Sequence, residues 1–151
     1  MSDSVNRKGD WSGELRPFHL AFPVVDLVSA RQWYVEVLGC VVGRESESSC
    51  VLNLFGHQIV AHKVDEMPEI ARNSVDDRSV PTSHFGCVLE WEHWHALAEE
   101  LENRGVDFII EPHIRYRGKP GEQATMFFCD PCGNNLEFKS FKDEDGIFSS
   151  Y

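Results

Sequence analysis

The stretch TMFFCDPCGNNLEFK, residues 125–139, decides how the chain reads. Two apolar runs flank a tight turn. Asp130-Pro131 and Gly133-Asn134 carry the turn chemistry: proline fixes φ, glycine accepts positive φ, and an Asx side chain caps its own backbone. The second run places Glu137 between Leu136 and Phe138, a carboxylate inside an apolar strand. Facing solvent it needs nothing, but facing a dry interior it needs a partner or a cation. The rest of the chain decides which.

Working back from that hairpin, SHFGCVLE (83–90) reads as an apolar strand with His84 near its start. Trp91 to Arg104 follows as a helix with Trp94, Leu97, Ala98 and Leu101 on one face, and Gly105 ends it. Strands are expected at 106–111, 124–129 and 135–141. The first half has the same order. PFHLAFPVV (17–25) is a strand containing His19, Asp26 is an N-cap, and 27–38 is a helix ended by Gly39. Strands at 40–44, 49–54 and 58–64 complete it. His19 stands 20 positions before Gly39 and His84 stands 21 before Gly105, so the chain repeats a βαβββ unit at a period of about 65 residues.

The expected organisation is a lead-in (1–15) and a single domain (16–142) followed by a tail (143–151). The domain divides into module one (16–64), a linker or surface loop (65–82) and module two (83–142). Module two adds a Gly- and Pro-rich loop, 112–122, that concentrates Arg115, Arg117 and Lys119 in a chain with 25 acidic and 14 basic residues. Such a loop reads either as a solvated hairpin end or as a lid meeting a polar substrate.

A net charge of −11 argues against nucleic acid and anionic membrane as partners. No apolar run approaches the roughly 18 residues of a membrane span, and the first ten residues lack the apolar core of a signal peptide. The cytoplasm is the expected location. Five cysteines form no disulfide framework, and Cys129-x-x-Cys132 lacks the second pair of a four-cysteine metal site.

Two histidines at matched places on first strands and one glutamate on a last strand suit a 2-His-1-carboxylate triad holding one divalent ion. Aligning the final hairpins on Gly56 and Gly133 sets Val60 opposite Glu137, so module one supplies no second carboxylate. His62 shares the face of Val60 and is a candidate acid/base or cavity-lining residue. His57, His93, His95 and His113 read as surface residues.

With His19 in FHLAFPVVDLVSARQWYVEVLGC, His84 in SHFGCVLEW and Glu137 in DPCGNNLEF, residues 17–142 resemble the vicinal oxygen chelate superfamily, which includes glyoxalase I, extradiol dioxygenases, fosfomycin-resistance enzymes and bleomycin-binding proteins. NLFGHQIVAH and RGKPGEQATMFFCDPCGNNLEFKSF further resemble a single-domain branch of extradiol-type dioxygenases. The resemblance implies an α+β fold whose paired βαβββ modules form a curved mixed, mostly antiparallel sheet around a metal cavity. By position it makes His19, His84 and Glu137 the metal ligands, with Fe(II) the expected ion and Mn(II), Zn(II) or Ni(II) as alternatives. Val60 departs from glyoxalase I, which usually has a carboxylate there.

The leading expectation is an extradiol, ring-cleaving oxidoreductase whose small-molecule substrate chelates the metal through vicinal oxygens. His62 and Tyr116 are then the catalytic candidates and Arg115 the substrate contact. A glyoxalase-like lyase, isomerase or thiol transferase is the alternative, and a non-catalytic resistance-type binding protein is the third reading. The resemblance also implies a homodimer.

Overall fold

The computed structural model describes residues 14–150; most of the expected lead-in lies outside the described residues. Module one is β1 (His19–Val24), α1 (Leu27–Glu36), β2 (Val41–Glu45), β3 (Ser49–Leu54) and β4 (His57–Lys63), in the sheet order β1-β4-β3-β2. β1 runs parallel to β4, and the other pairs are antiparallel. Pro23 is tolerated because β1 is an edge strand, where a missing N–H breaks no ladder. The Asp26 side chain caps α1 by accepting from the Ser29 amide at 3.0 Å.

Module two repeats the pattern. α2 (Trp91–Asn103) buries Trp94, Leu97, Ala98 and Leu101, the face read from the sequence, and the Trp94 indole donates to the Phe138 carbonyl at 2.8 Å. β7 (Phe108–Arg115), β8 (Gln123–Cys129) and β9 (Asn135–Phe141) form an antiparallel sheet. The expected strand at 83–90 is looser than β1. It lies parallel to β9 through bridges at Phe85 and Val88, and backbone bonds tie Phe85 and Leu89 to Asn135 and Lys139.

The pairing makes the repeat exact in register. His19 lies opposite Gln58 and Ala21 opposite Val60, while Phe85 lies opposite Leu136 and Val88 opposite Lys139. The two registers therefore equate His19 with His84, Val60 with Glu137, and His62 with Lys139.

Two expectations need correction. Residues 65–82 are more than a linker: β5 (Arg72–Val75) and β6 (Arg78–Pro81) form a hairpin there. Its Asp76 and Asp77 both have positive φ (49° and 62°), the geometry of a two-residue primed turn whose twist matches the strands. The 112–122 loop also begins later than expected, because β7 runs on to Arg115 past two irregularities in its pairing. The C-terminal tail contains a 3₁₀ turn at Glu144–Gly146.

One apolar core serves both modules. It joins Phe22, Tyr34 and Leu52 of the first to Trp94, Phe128 and Phe138 of the second. Phe22 meets Phe85 at 5.2 Å between centroids, and Trp33 meets Phe128 at 6.1 Å. The turn at 130–134 is the polar half of this junction. Asp130, only 5% exposed, accepts from the Tyr34 hydroxyl, the Asn134 side-chain amide and the backbone amides of Cys132 and Asn134, all at 2.8–2.9 Å. Asn134 in turn donates to the Pro23 carbonyl at 2.8 Å. A buried carboxylate is tolerable when it is this fully hydrogen-bonded. Gly133, at φ +91°, supplies the left-handed residue the turn needs.

Candidate metal centre

Strand alternation puts Leu136, Phe138 and Ser140 into the core and leaves Glu137, Lys139 and Phe141 on the opposite face of β9. Strand 83–90 delivers His84 to the same place. Its Nε2 stands 3.0 Å from Glu137 Oε2, with side chains 32% and 22% exposed. Both groups are held from behind. His84 Nδ1 faces the Pro81 carbonyl at 3.1 Å, and the Thr125 hydroxyl donates to Glu137 Oε1 at 2.7 Å. The Phe127 ring packs edge-on to the imidazole at 4.9 Å.

This arrangement fits a divalent ion. A ligating histidine typically gives its other N–H to a carbonyl, which turns the remaining lone pair toward the metal. Pro81 does this for His84. Two ligands at right angles, each about 2.1 Å from one ion, stand about 3.0 Å apart, the separation of Nε2 and Oε2. Thr125 occupies one carboxylate oxygen and leaves the other turned to His84. Gly86 makes the approach of the two strands possible: a Cβ there would lie 1.7 Å from the Glu137 carbonyl oxygen.

His19 is elsewhere. It lines a hollow of about 580 Å³ on module one, with Gln58, Asn53 and Val41, and its Nδ1 lies 2.8 Å from Gln58 Oε1. Among the described residues no three His, Cys, Asp or Glu side chains converge as a metal site. His19 and the His84–Glu137 pair thus line different clefts of one chain.

His62 is exposed on β4, paired with Pro23 and Ser49. It is four residues beyond Gln58, hence about 13 Å along the strand from the row of His19. Arg115 and Tyr116 lie together at the end of β7. The Arg115 guanidinium donates to the Tyr116 hydroxyl at 3.1 Å and pairs with Asp76 at 3.3 Å, which ties the β5–β6 tip to β7. Tyr116 is half exposed with φ +55°. The Glu122 carboxyl is held below its usual range, chiefly by the Gly118 amide and then by Lys142, which orders the loop between β7 and β8.

Of the cysteines, only Cys87 lines the cleft of His84 and Glu137 among the described residues. Burial pushes the Cys87 thiol up to about 11 and that of Cys40 to about 12. Cys129 Sγ faces Asn135 Oδ1 while Cys132 Sγ faces the Asp26 carbonyl, so the C-x-x-C thiols hydrogen-bond to different neighbours. Thr125 and Pro81, which orient the side chains of Glu137 and His84, were not read from the sequence. The signal for Thr125 was a hydroxyl at the start of the apolar run that pairs with the strand of Glu137.

No curated protein matches the chain. Among solved structures, it is similar to a glyoxalase/bleomycin resistance protein/dioxygenase from Alicyclobacillus acidocaldarius, at 32% identity over 87% of this chain and 96% of that one, with a TM-score of 0.73. The fosfomycin resistance protein FosX of Listeria monocytogenes shares the fold at 16% identity, with 89% and 97% covered and a TM-score of 0.62. Lactoylglutathione lyase of Agrobacterium tumefaciens does so at 14%, with 82% and 91% covered and a TM-score of 0.58. The family model of the Glyoxalase/Bleomycin resistance protein/Dioxygenase superfamily matches residues 16–138. The chain belongs to that superfamily.

Proposed function

We propose that this protein is a divalent-metal-dependent oxidoreductase of the extradiol type, acting on a small molecule that presents two vicinal oxygens. The observation that carries the reading is the His84–Glu137 pair at 3.0 Å, each side chain oriented by its own hydrogen bond. His19 is the third ligand, contributed by a second copy of the chain in a homodimer. Its exposed position on an outward-facing edge strand, with Nδ1 already engaged by Gln58, supports that role.

A bound Fe(II) or Mn(II) ion would supply Lewis acidity to the chelated oxygens and a redox partner for dioxygen. The protein's own groups do the rest. Pro81 and Thr125 hold the ligand atoms in place, so little reorganisation is needed on binding. Phe18, Leu20, Val88 and the ligand pair line a cleft of about 400 Å³ that would lower the local polarity around an aromatic diol. Tyr116 is the candidate proton donor or positioning group at the far end of this face, with Arg115 behind it. His62 is the candidate acid/base on the module-one face.

The test begins with the metal content of anaerobically purified protein and of the His19→Ala, His84→Ala and Glu137→Gln variants. About one iron or manganese per chain, lost in the variants, together with O₂ uptake on adding a catechol, supports the reading. Metal without O₂ uptake on any catechol overturns the oxidoreductase and leaves a lyase, isomerase or transferase. Absence of stoichiometric metal after reconstitution overturns the centre itself.

A further inference from the structure

We propose that Lys139 is the residue that selects the substrate, by binding an anionic group, and that the substrate is an organic carboxylate. This rests on the metal centre proposed above and adds the charge of the molecule bound there. Lys139 is two residues past Glu137 on the same face of β9, so the two Cα atoms are about 7 Å apart. It is half-buried and lines the cleft of His84 and Glu137. It also lines an adjoining cleft of about 410 Å³ shared with Tyr116, Gln123 and Phe141. Among the described residues no other lines both.

The ammonium group sits beside an aromatic ring on the cleft-lining face. Its Nζ lies 5.6 Å from the Phe141 ring centroid. Among the described residues no carboxylate lies within 4.0 Å of it, while the ion-paired cations Arg31, Arg104, Arg115 and Lys142 do not line the cleft of His84 and Glu137. A half-buried lysine whose amine rests on an aromatic face, with no counter-ion among the described residues, is electrostatically set to receive an anion. The repeat sharpens the point. The equivalent position in module one is His62, so the face that bears the carboxylate ligand is also the one that bears the fixed positive charge. Lys139 opposes Thr125 across β8, and Thr125 orients Glu137, which keeps the cation beside the ligand pair. A molecule chelating at His84 and Glu137 would reach Lys139 with a carboxylate carried on the same ring or one short chain away.

The test compares 3,4-dihydroxybenzoate with its methyl ester, two molecules with the same chelating oxygens and different charge. Calorimetric titration under anaerobic conditions uses Zn(II)-treated wild type, Lys139→Met and Lys139→Arg, with the zinc content of each sample measured in parallel. Wild type is expected to bind the acid about tenfold more tightly than the ester, the scale of one charge-assisted hydrogen bond. Lys139→Met should lose that preference at unchanged zinc content, and Lys139→Arg should keep it. Equal affinities in wild type, or a preference that survives Lys139→Met, overturns the assignment. The zinc content separately judges the metal centre: a lysine-dependent preference in protein that retains no zinc upholds Lys139 and sinks the metal reading.

Discussion

The Tyr34 hydroxyl, on the helix of module one, donates to the Asp130 carboxylate, in the last turn of module two, at 2.8 Å across 96 positions of sequence. Both groups are buried. The bond therefore fastens the modules to each other, and the turn chemistry that marks the DPCGNN motif locally also serves as a tertiary clamp. Tyr34→Phe keeps the ring packing and removes one donor of four. It should cost about 1–2 kcal/mol, toward the range for hydrogen bonds to charged groups, read as a lower urea midpoint at unchanged m-value.

The same bond gives a pH signature. Burial first, and then the charge of Asp130, hold the Tyr34 hydroxyl well above its ordinary value of 10.0. Because the folded value is raised, this contribution is fully present below pH 10 and is lost as pH rises beyond it, where the unfolded chain ionises and the folded one does not. The stability gap between wild type and Tyr34→Phe should therefore shrink above pH 10, by at most about 1.4 kcal/mol per pH unit. A gap that stays constant to pH 11 would show that Tyr34 ionises in the folded state as easily as in the unfolded one.

Much of this was legible in the sequence because the periodicities were clean. Trp94, Leu97, Ala98 and Leu101 recur at helical spacing, and the alignment on Gly56 and Gly133 gave the Val60–Glu137 equivalence that the strand register shows. The β5–β6 hairpin was missed because all four residues of β5 are exposed, which leaves no alternation to read. Its signal was the Asp76-Asp77 pair, turn chemistry inside a polar segment. The meeting of His84 with Glu137 follows from the repeat. The separation of His19 from them does not, since it depends on how the modules pack, and Trp33, Tyr34 and Asp130 encode that through contacts that no local pattern reveals.

Thr125→Val tests the orientation of Glu137, the proposed carboxylate ligand. The substitution is close to isosteric and leaves Glu137 Oε1 without its 2.7 Å donor. Loss of an outer hydrogen bond of this kind typically lowers metal affinity about 10- to 100-fold. Chelator competition with Zn(II) should show a fall of at least about tenfold. An unchanged affinity would mean that the carboxylate is fixed by something other than Thr125.

Gly86→Ala tests the close approach of the two strands. The added methyl would stand 1.7 Å from the Glu137 carbonyl oxygen, a backbone atom that cannot swing aside, so strand 83–90 must move off β9. Overpacking of this kind costs about 1–3 kcal/mol or more, and the movement should also separate His84 from Glu137. Both thermal stability and metal affinity should fall together. Ala21, at the equivalent place in module one, shows that the repeat accepts a methyl where Val60 stands in place of Glu137.

The third ligand gives the most demanding prediction. If His19 of one copy joins His84 and Glu137 of another, each dimer has two centres, and each centre draws on both chains. His19→Ala and His84→Ala homodimers should then each bind no stoichiometric metal. A heterodimer formed by unfolding and refolding them together contains one centre with all three ligands and one with neither histidine. Random pairing makes about half of the dimers mixed, so the refolded mixture should recover about one quarter of the wild-type metal content. Ligands drawn from a single chain would give no recovery, because each chain would then have its own broken centre. Size-exclusion chromatography of the same mixture distinguishes a failed refolding from a failed complementation. Full-size dimers that remain metal-free would place all three ligands on one chain and require the modules to rearrange around the Tyr34–Asp130 clamp.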